Sequence, residues 1–169
     1  METKTRYKNG LKFCHVKSDG SGSAFSMKLT KSKKDLEWGD DVQCPMSILF
    51  QVAPQKPGTK IGDTNIFDYN KESSIFFKPT ILEVCQLIAV LNDKKKCTGD
   101  DKNRNLIHKL NEHTTTLSLS KADNGNIYYL NLNRKIDQSS LSVKFSFFEW
   151  EAVAFRMVLE HAFHSMIDM

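Results

Sequence analysis

Few residues in this 169-residue sequence are spaced for bond-making chemistry. His161 and His164 lie three apart, which lets two imidazoles on one helix face share a metal. No third ligand accompanies them. The cysteines Cys14, Cys44, Cys85 and Cys97 contain no C-x-x-C pair, and Cys85 reads as a small buried hydrophobe inside an apolar helix. Neither a metal nor a cofactor is expected. Asp40-Asp41 and Asp100-Asp101 read as loop acids. A P-loop, a G-x-G-x-x-G and a nucleophile elbow are all missing, so the residues give no ground for an enzyme.

A second set of residues suits non-covalent chemistry. Lys12, Lys17, Lys28 and Lys144 supply charge for phosphates. Gln51, Ser118 and Asn131 offer donors and acceptors to base edges. Phe13 and Tyr129 offer rings on which bases stack, although Phe13 also fits a core position. Such a mixture on one sheet face suits a single-stranded nucleic acid. The charge distribution agrees. Residues 1–34 hold nine Lys/Arg against two Asp/Glu, a net +7, whereas the rest hold fifteen against eighteen, a net −3. A basic N-terminal segment points to a polyanionic partner. An ordinary solvated sheet face would show the same alternation.

These residues need elements to hold them, and the elements come in two copies. Ser73-Ser74-Ile75-Phe76-Phe77-Lys78-Pro79-Thr80 matches Ser139-Ser140-Leu141-Ser142-Val143-Lys144-Phe145-Ser146 at a constant offset of 66. Each segment reads as a strand that runs into a helix through a capping box, Thr80-x-x-Glu83 and Ser146-x-x-Glu149. The first helix covers 81–92, with Leu82, Cys85, Ile88 and Ala89 on its apolar face, widened by Leu87 and Leu91. The second covers 147–168, with Val153, Met157, Phe163 and Ile167 in a broad stripe. Strands are expected at Leu11–Lys17, Ala24–Lys31, Ser47–Ala53, Asn105–Leu110, Thr115–Lys121 and Ile127–Asn133. Asp123-Asn124-Gly125-Asn126 is a hairpin signal. Lys94 to Asn105 reads as a lysine-rich loop joining the halves.

The result is an α+β fold: a strand-strand-strand-strand-helix unit, duplicated, with two antiparallel sheets and helices on one face of them. Residues 10–169 form one domain, with halves at about 10–93 and 105–168, behind a basic extension at 1–9. Apolar content of 40% and charge of 26% exclude a disordered chain. No apolar run approaches the roughly 18–20 residues that span a bilayer. Met1-Glu2-Thr3-Lys4 leads into no apolar stretch, so neither a secretory leader nor a membrane partner is expected.

Several stretches resemble the Whirly domain, a single-stranded DNA-binding module of plant organelles. They are Ser47-Ile48-Leu49-Phe50-Gln51-Val52-Ala53-Pro54, Phe67-Asp68-Tyr69-Asn70-Lys71-Glu72, and Ile75-Phe76-Phe77-Lys78-Pro79-Thr80 followed by Glu83-Val84. The second half adds Leu117-Ser118-Leu119-Ser120, the Asn-Gly hairpin and Glu151-Ala152-Val153-Ala154-Phe155-Arg156. The likeness covers about 10–168, and kinetoplastid mitochondrial RNA-binding proteins share the fold. Two departures stand out. Ile81-Leu82 is inserted before Glu83, and Ser21-Gly22-Ser23-Ala24-Phe25-Ser26 lacks both lysines of the family's Lys-Gly-Lys-Ala-Ala-Leu element.

The resemblance implies a homotetramer assembled through the helix 147–168, with strands of DNA or RNA crossing sheet edges between subunits. It implies low sequence specificity and a place in replication, repair, transcription or RNA processing. The setting would be intracellular: a nucleoid, an organelle or phage-infected cytoplasm. A structural or protein-interaction domain reusing the fold is the other class the sequence supports.

Overall fold

The computed structural model describes residues 10–31, 46–100, 103–110 and 112–167. The extension 1–9, the lysines at 33–34, Asp40-Asp41, Cys44 and Asp101 lie outside them. In chain order the elements are β1 (Gly10–His15), β2 (Ser23–Lys31), β3 (Met46–Pro54), β4 (Ile75–Phe77) and α1 (Ile81–Leu91). The second set is β5 (Leu106–Leu110), β6 (His113–Lys121), β7 (Ile127–Ile136), β8 (Ser139–Phe148) and α2 (Glu149–Ile167). Each set of four strands forms its own antiparallel sheet in sequential order.

The sheets form because their strands alternate. In β2, Phe25 and Met27 are buried while Lys28 is exposed. In β6 and β7 the inward rows are Thr115, Leu117 and Leu119, then Tyr128, Leu130 and Leu132. The inner faces of both sheets and the inner faces of both helices share one core. Phe155 of α2 sits at its centre, its ring 5.0 Å from Phe25 in the first sheet and 5.1 Å from Phe147 in the second. Gly125, at φ +80°, takes the left-handed position that closes the β6–β7 hairpin.

The two helix starts differ from the sequence reading in one respect. Thr80 and Glu83 form the expected capping box on α1: Glu83 N–H donates to Thr80 Oγ1, and Thr80 N–H donates to Glu83 Oε2 at 2.7 Å. Ser146 does not cap α2. The inward alternation of Val143 and Phe145 continues to Phe147, so β8 runs on through Phe148. Glu151 then takes the place expected of Glu149, accepting from Phe148 N–H at 2.9 Å. The matching carboxylates are Glu83 and Glu151, an offset of 68, so the duplication shifts by two residues where β8 is prolonged.

Both carboxylates also bind a histidine from the other half. His15 of β1 donates from Nε2 to Glu151 Oε1 at 2.7 Å. His108 of β5 donates from Nε2 to Glu83 Oε2 at 2.9 Å. Each imidazole also stacks on a phenylalanine, His15 on Phe145 at 4.6 Å and His108 on Phe77 at 4.2 Å. The first strand of each half therefore clasps the last strand and helix of the other.

The helix faces are turned from those expected. On α1 the buried residues are Val84, Leu87, Val90 and Leu91, whereas Leu82 and Cys85 are exposed. On α2 they are Ala152, Phe155, Leu159, Ala162 and Met166, whereas Val153, Met157 and Ile167 are exposed and Phe163 is half-buried. Both helices carry apolar residues nearly all round, so periodicity alone does not single out the inward side.

The reciprocal clasp yields a testable energy. Glu151 is only 2% exposed, so His15→Ala and Glu151→Ala should each destabilise the fold, by about 1.5–3 kcal/mol for a hydrogen bond to a charged group. Urea unfolding of both single variants and the double should show coupling of about 0.5–3 kcal/mol. Additive losses would mean that the two side chains do not act together.

Candidate nucleic-acid interface

With both inner faces in the core, the candidate residues sort by the direction each strand gives them. On the second sheet, Ser118, Asn131 and Lys144 lie side by side across β6, β7 and β8 and face outward. The neighbouring row holds Ser120, Tyr129 and Ser146. Tyr129 is 45% exposed and Lys144 is exposed. Asn131 Nδ2 reaches Ser118 Oγ at 3.5 Å, and Asn133 Nδ2 donates to Thr116 Oγ1 at 3.3 Å. Each amide thus turns a donor toward the neighbouring strand. Lys109 and Lys135 flank Thr114 one row further on.

The outer face of the first sheet is partly covered. Residues 55–74 fold back over it, placing Phe67 with Ile66 and Val16 on Ala24 and Ala53. Lys12, Ser26 and Gln51 form one outward row on β1, β2 and β3. Gln51 Nε2 donates to Ser74 Oγ at 3.1 Å and to the Tyr69 carbonyl at 3.2 Å. The Lys12 ammonium sits over the Tyr69 ring, 4.6 Å from its centroid. The neighbouring Tyr69 side chain raises the Lys12 pKa, and burial pushes the Tyr69 phenol up. At neutral pH the pair is thus a cation on a neutral ring. Ser26 Oγ is buried there with no hydrogen-bond partner among the described residues.

Two further ties fix this cover. Gln55 clasps the backbone of Lys17, accepting from its N–H at 2.9 Å and donating to its carbonyl at 3.0 Å. Gly22 is pressed against the same place, where a Cβ would collide with Gln55 Oε1 and the His15 carbonyl. At the other end Arg134 of β7 donates to the carbonyls of Lys71, Glu72 and Ser74, at 2.6, 2.7 and 3.3 Å. Asp68 is drawn below the usual carboxylate range by hydrogen bonds from Ser73 and from the Asn70 amide.

The nine candidates are therefore split. Ser118, Tyr129, Asn131 and Lys144 share the open face of the second sheet. Lys12 and Lys28 face outward on the first sheet, Lys28 lying exposed between Gly10 and Leu49. Lys17 is exposed just past β1. Gln51 is half-buried and committed to the covering segment instead of standing free. Phe13 points inward and packs edge-on against Phe147 at 5.9 Å and Trp150 at 6.2 Å, so the structure takes the core alternative. Tyr69 is the aromatic residue that sequence reasoning missed as a site. It lies in a segment without strand periodicity, so no alternation assigns it to a face. Its only sequence signal is the Phe67-Asp68-Tyr69 resemblance.

His161 and His164 both lie on the exposed side of α2, and no three His, Cys, Asp or Glu side chains among the described residues group to hold a metal. No helix of the described residues is long and apolar enough to cross a membrane.

No protein-family model matches the chain, and no curated protein does. Solved structures do. WHY1 from Arabidopsis thaliana superposes with a TM-score of 0.70 over 94% of this chain and 84% of that one, at 13% identity. The fold is Whirly-like. Trypanosome MRP1/MRP2 shares this Whirly-like architecture with a TM-score of 0.64, over 94% of this chain and 86% of that one, at 9% identity. A guide-RNA-binding protein complex bound to a guide RNA matches with a TM-score of 0.62, over 96% and 94%, at 8% identity. The fold is thus shared over more than nine-tenths of this chain at 8–13% sequence identity.

Gln51 is the hinge-pin of the covered face. Gln51→Ala should speed amide hydrogen exchange across residues 66–74 while leaving β6 and β7 unchanged. Uniform protection in the variant would show that Phe67 and Arg134 hold the segment without it.

Proposed function

We propose that the chain binds single-stranded nucleic acid, DNA foremost and RNA second, with low sequence specificity. The observation that carries this reading is the open outer face of the second sheet. There a lysine, an asparagine and a serine lie in one row beside an exposed tyrosine. Lys144 would meet phosphate, Tyr129 would stack on a base, and Asn131 with Ser118 would touch base edges without a fixed code. Lys28, Lys12 and Lys17 would extend the charged path onto the first sheet. The names of two structural neighbours, one a guide-RNA-binding complex and one a plant transcriptional regulator, support the class of ligand. The processes served would be replication, repair, transcription or RNA processing.

The same reading includes self-association through α2, with a homotetramer as the expected assembly. Trp150, Val153 and Met157 project from α2 at intervals of three and four, a single exposed stripe, and Trp150 and Met157 are 66% and 61% exposed. Leu82 and Ile81 add apolar surface at the start of α1. Large apolar patches on a water-soluble surface mark interaction sites.

Anisotropy of a labelled oligo-dT of about 30 nucleotides, titrated at two salt concentrations, tests the binding. Lys28→Glu with Lys144→Glu should weaken it for every sequence and flatten its salt dependence, and Tyr129→Ala should cost about 1–3 kcal/mol. Unchanged affinity in both variants would remove these faces. Oligo-U and duplex DNA run alongside rank RNA and double strands. Met157→Glu should lower the mass seen by sedimentation velocity; an unchanged mass would place the interface elsewhere.

A further inference from the structure

One charged feature lies off the outer faces and outside the reading above. α1 ends at Leu91, and Asp93 takes a left-handed turn at φ 59°. Lys94 and Lys95 then both donate their amides to the Ala89 carbonyl, at 2.8 and 3.2 Å. The chain doubles back at once, and three consecutive lysines fall in the turn. The next residues are tied to the second sheet and do not form a loose linker. Lys121 N–H donates to the Lys96 carbonyl at 3.0 Å, Thr98 N–H donates to the Leu119 carbonyl at 2.9 Å, and Cys97 pairs with Ser120. Residues 96–98 therefore prolong the edge of the second sheet along β6, beyond the end of β5.

Between this turn and the β6–β7 hairpin lies an open hollow of about 420 Å³. Lys94, Lys95, Lys96 and Lys121 line it, with Asp93 and Asp123 as its acids. The lysines are not equivalent. Lys121 Nζ is paired with Asp93 at 2.6 Å, and that carboxylate also accepts from the Tyr128 hydroxyl. Lys95 Nζ donates to the Gly99 carbonyl at 2.6 Å. Lys94 and Lys96 have no side-chain partner among the described residues, and the four lysines outnumber the two acids. This is a cationic hollow with two ammonium groups unspent.

Its position gives it a ligand. Cys97, Ser120 and Tyr129 form one outward row, so the 96–98 segment lies two strand spacings from Tyr129, about 10 Å, while Lys96 and Lys121 alternate with that row and turn to the helix side of the edge. A strand stacked on Tyr129 and crossing Ser120 reaches the sheet edge here and enters the hollow by rounding it. We infer that the hollow takes the phosphates of single-stranded nucleic acid as it leaves the open face, with Lys94 and Lys96 as the contacts. The inference rests on the binding reading above and adds to it a second station off the sheet face. Two lysines placed merely to complement the carbonyl end of α1 would serve stability alone.

The test separates these cases. Lys94→Glu with Lys96→Glu leaves the two bonded lysines in place. For the same oligo-dT of about 30 nucleotides, the slope of log affinity against log salt should become shallower by about 1.4, or about 0.7 for each phosphate no longer neutralised. Lys94→Arg with Lys96→Arg should keep the wild-type slope. Acetylation of the wild-type protein should show Lys94 and Lys96 protected by the oligonucleotide. Protection of Lys28 and Lys144 without Lys94 and Lys96, at an unchanged slope, overturns the hollow and keeps the face. A lower melting temperature for the glutamate variant at an unchanged slope also overturns it, assigning the lysines to the helix end. Failure of the wild-type protein to bind any strand removes both readings together.

Discussion

Two carboxylates hold this architecture together. Glu83 and Glu151 each accept a backbone amide that starts a helix and a histidine that comes from the opposite half. A carboxylate as enclosed as Glu151 is tolerable only when its oxygens are satisfied, and the two partners do that jointly. Helix initiation and docking of the halves are thereby one event. A slip of β8 or a shift of α2 would break a cap and a clasp at once. One turn on from Glu151, Phe155 packs against both sheets, so the cap and the shared core lie side by side.

The halves have diverged while keeping this frame. In the second, β8 runs ten residues and the sheet's outer face stays open. In the first, β4 has three residues, and the long segment before it has become a cover over the outer face. One copy of the unit thus presents a surface and the other hides much of its own. The polar row on the second sheet and the stapled row on the first occupy comparable places, but only one is free to meet a ligand directly. That asymmetry concentrates the functional reading on β6, β7 and β8.

Much of this was legible in the residues. Alternation located the strands to within one or two positions except at the end of β7, which runs three residues past Asn133, and the Thr80 capping box fixed the start of α1. The Asn-Gly turn marked the β6–β7 hairpin, and strand alternation placed Ser118, Tyr129, Asn131 and Lys144 on the outer face, where the structure has them. What was not legible depends on three dimensions. Ser146 has the sequence of a cap, but burial of Phe147 extends the strand past it. Leu82, Cys85 and Met157 sit on helices that are apolar all round, so only packing against the sheets decides their side. Gln51 and Lys12 alternate outward as expected, yet a segment with no periodicity lands on them. Tyr69 escapes for the same reason.

Arg134 gives the cover a further property. Its guanidinium belongs to the second sheet, yet its bonded partners are three carbonyls in the segment that shields the first. The lid is thus fastened to the half it does not cover. Lifting Tyr69 from Lys12 pulls on a segment tied to β7 through Arg134, three residues beyond Asn131 of the open face. Free-energy coupling runs equally in both directions. The cover of one outer surface and the strand behind the other thus share a single fastening.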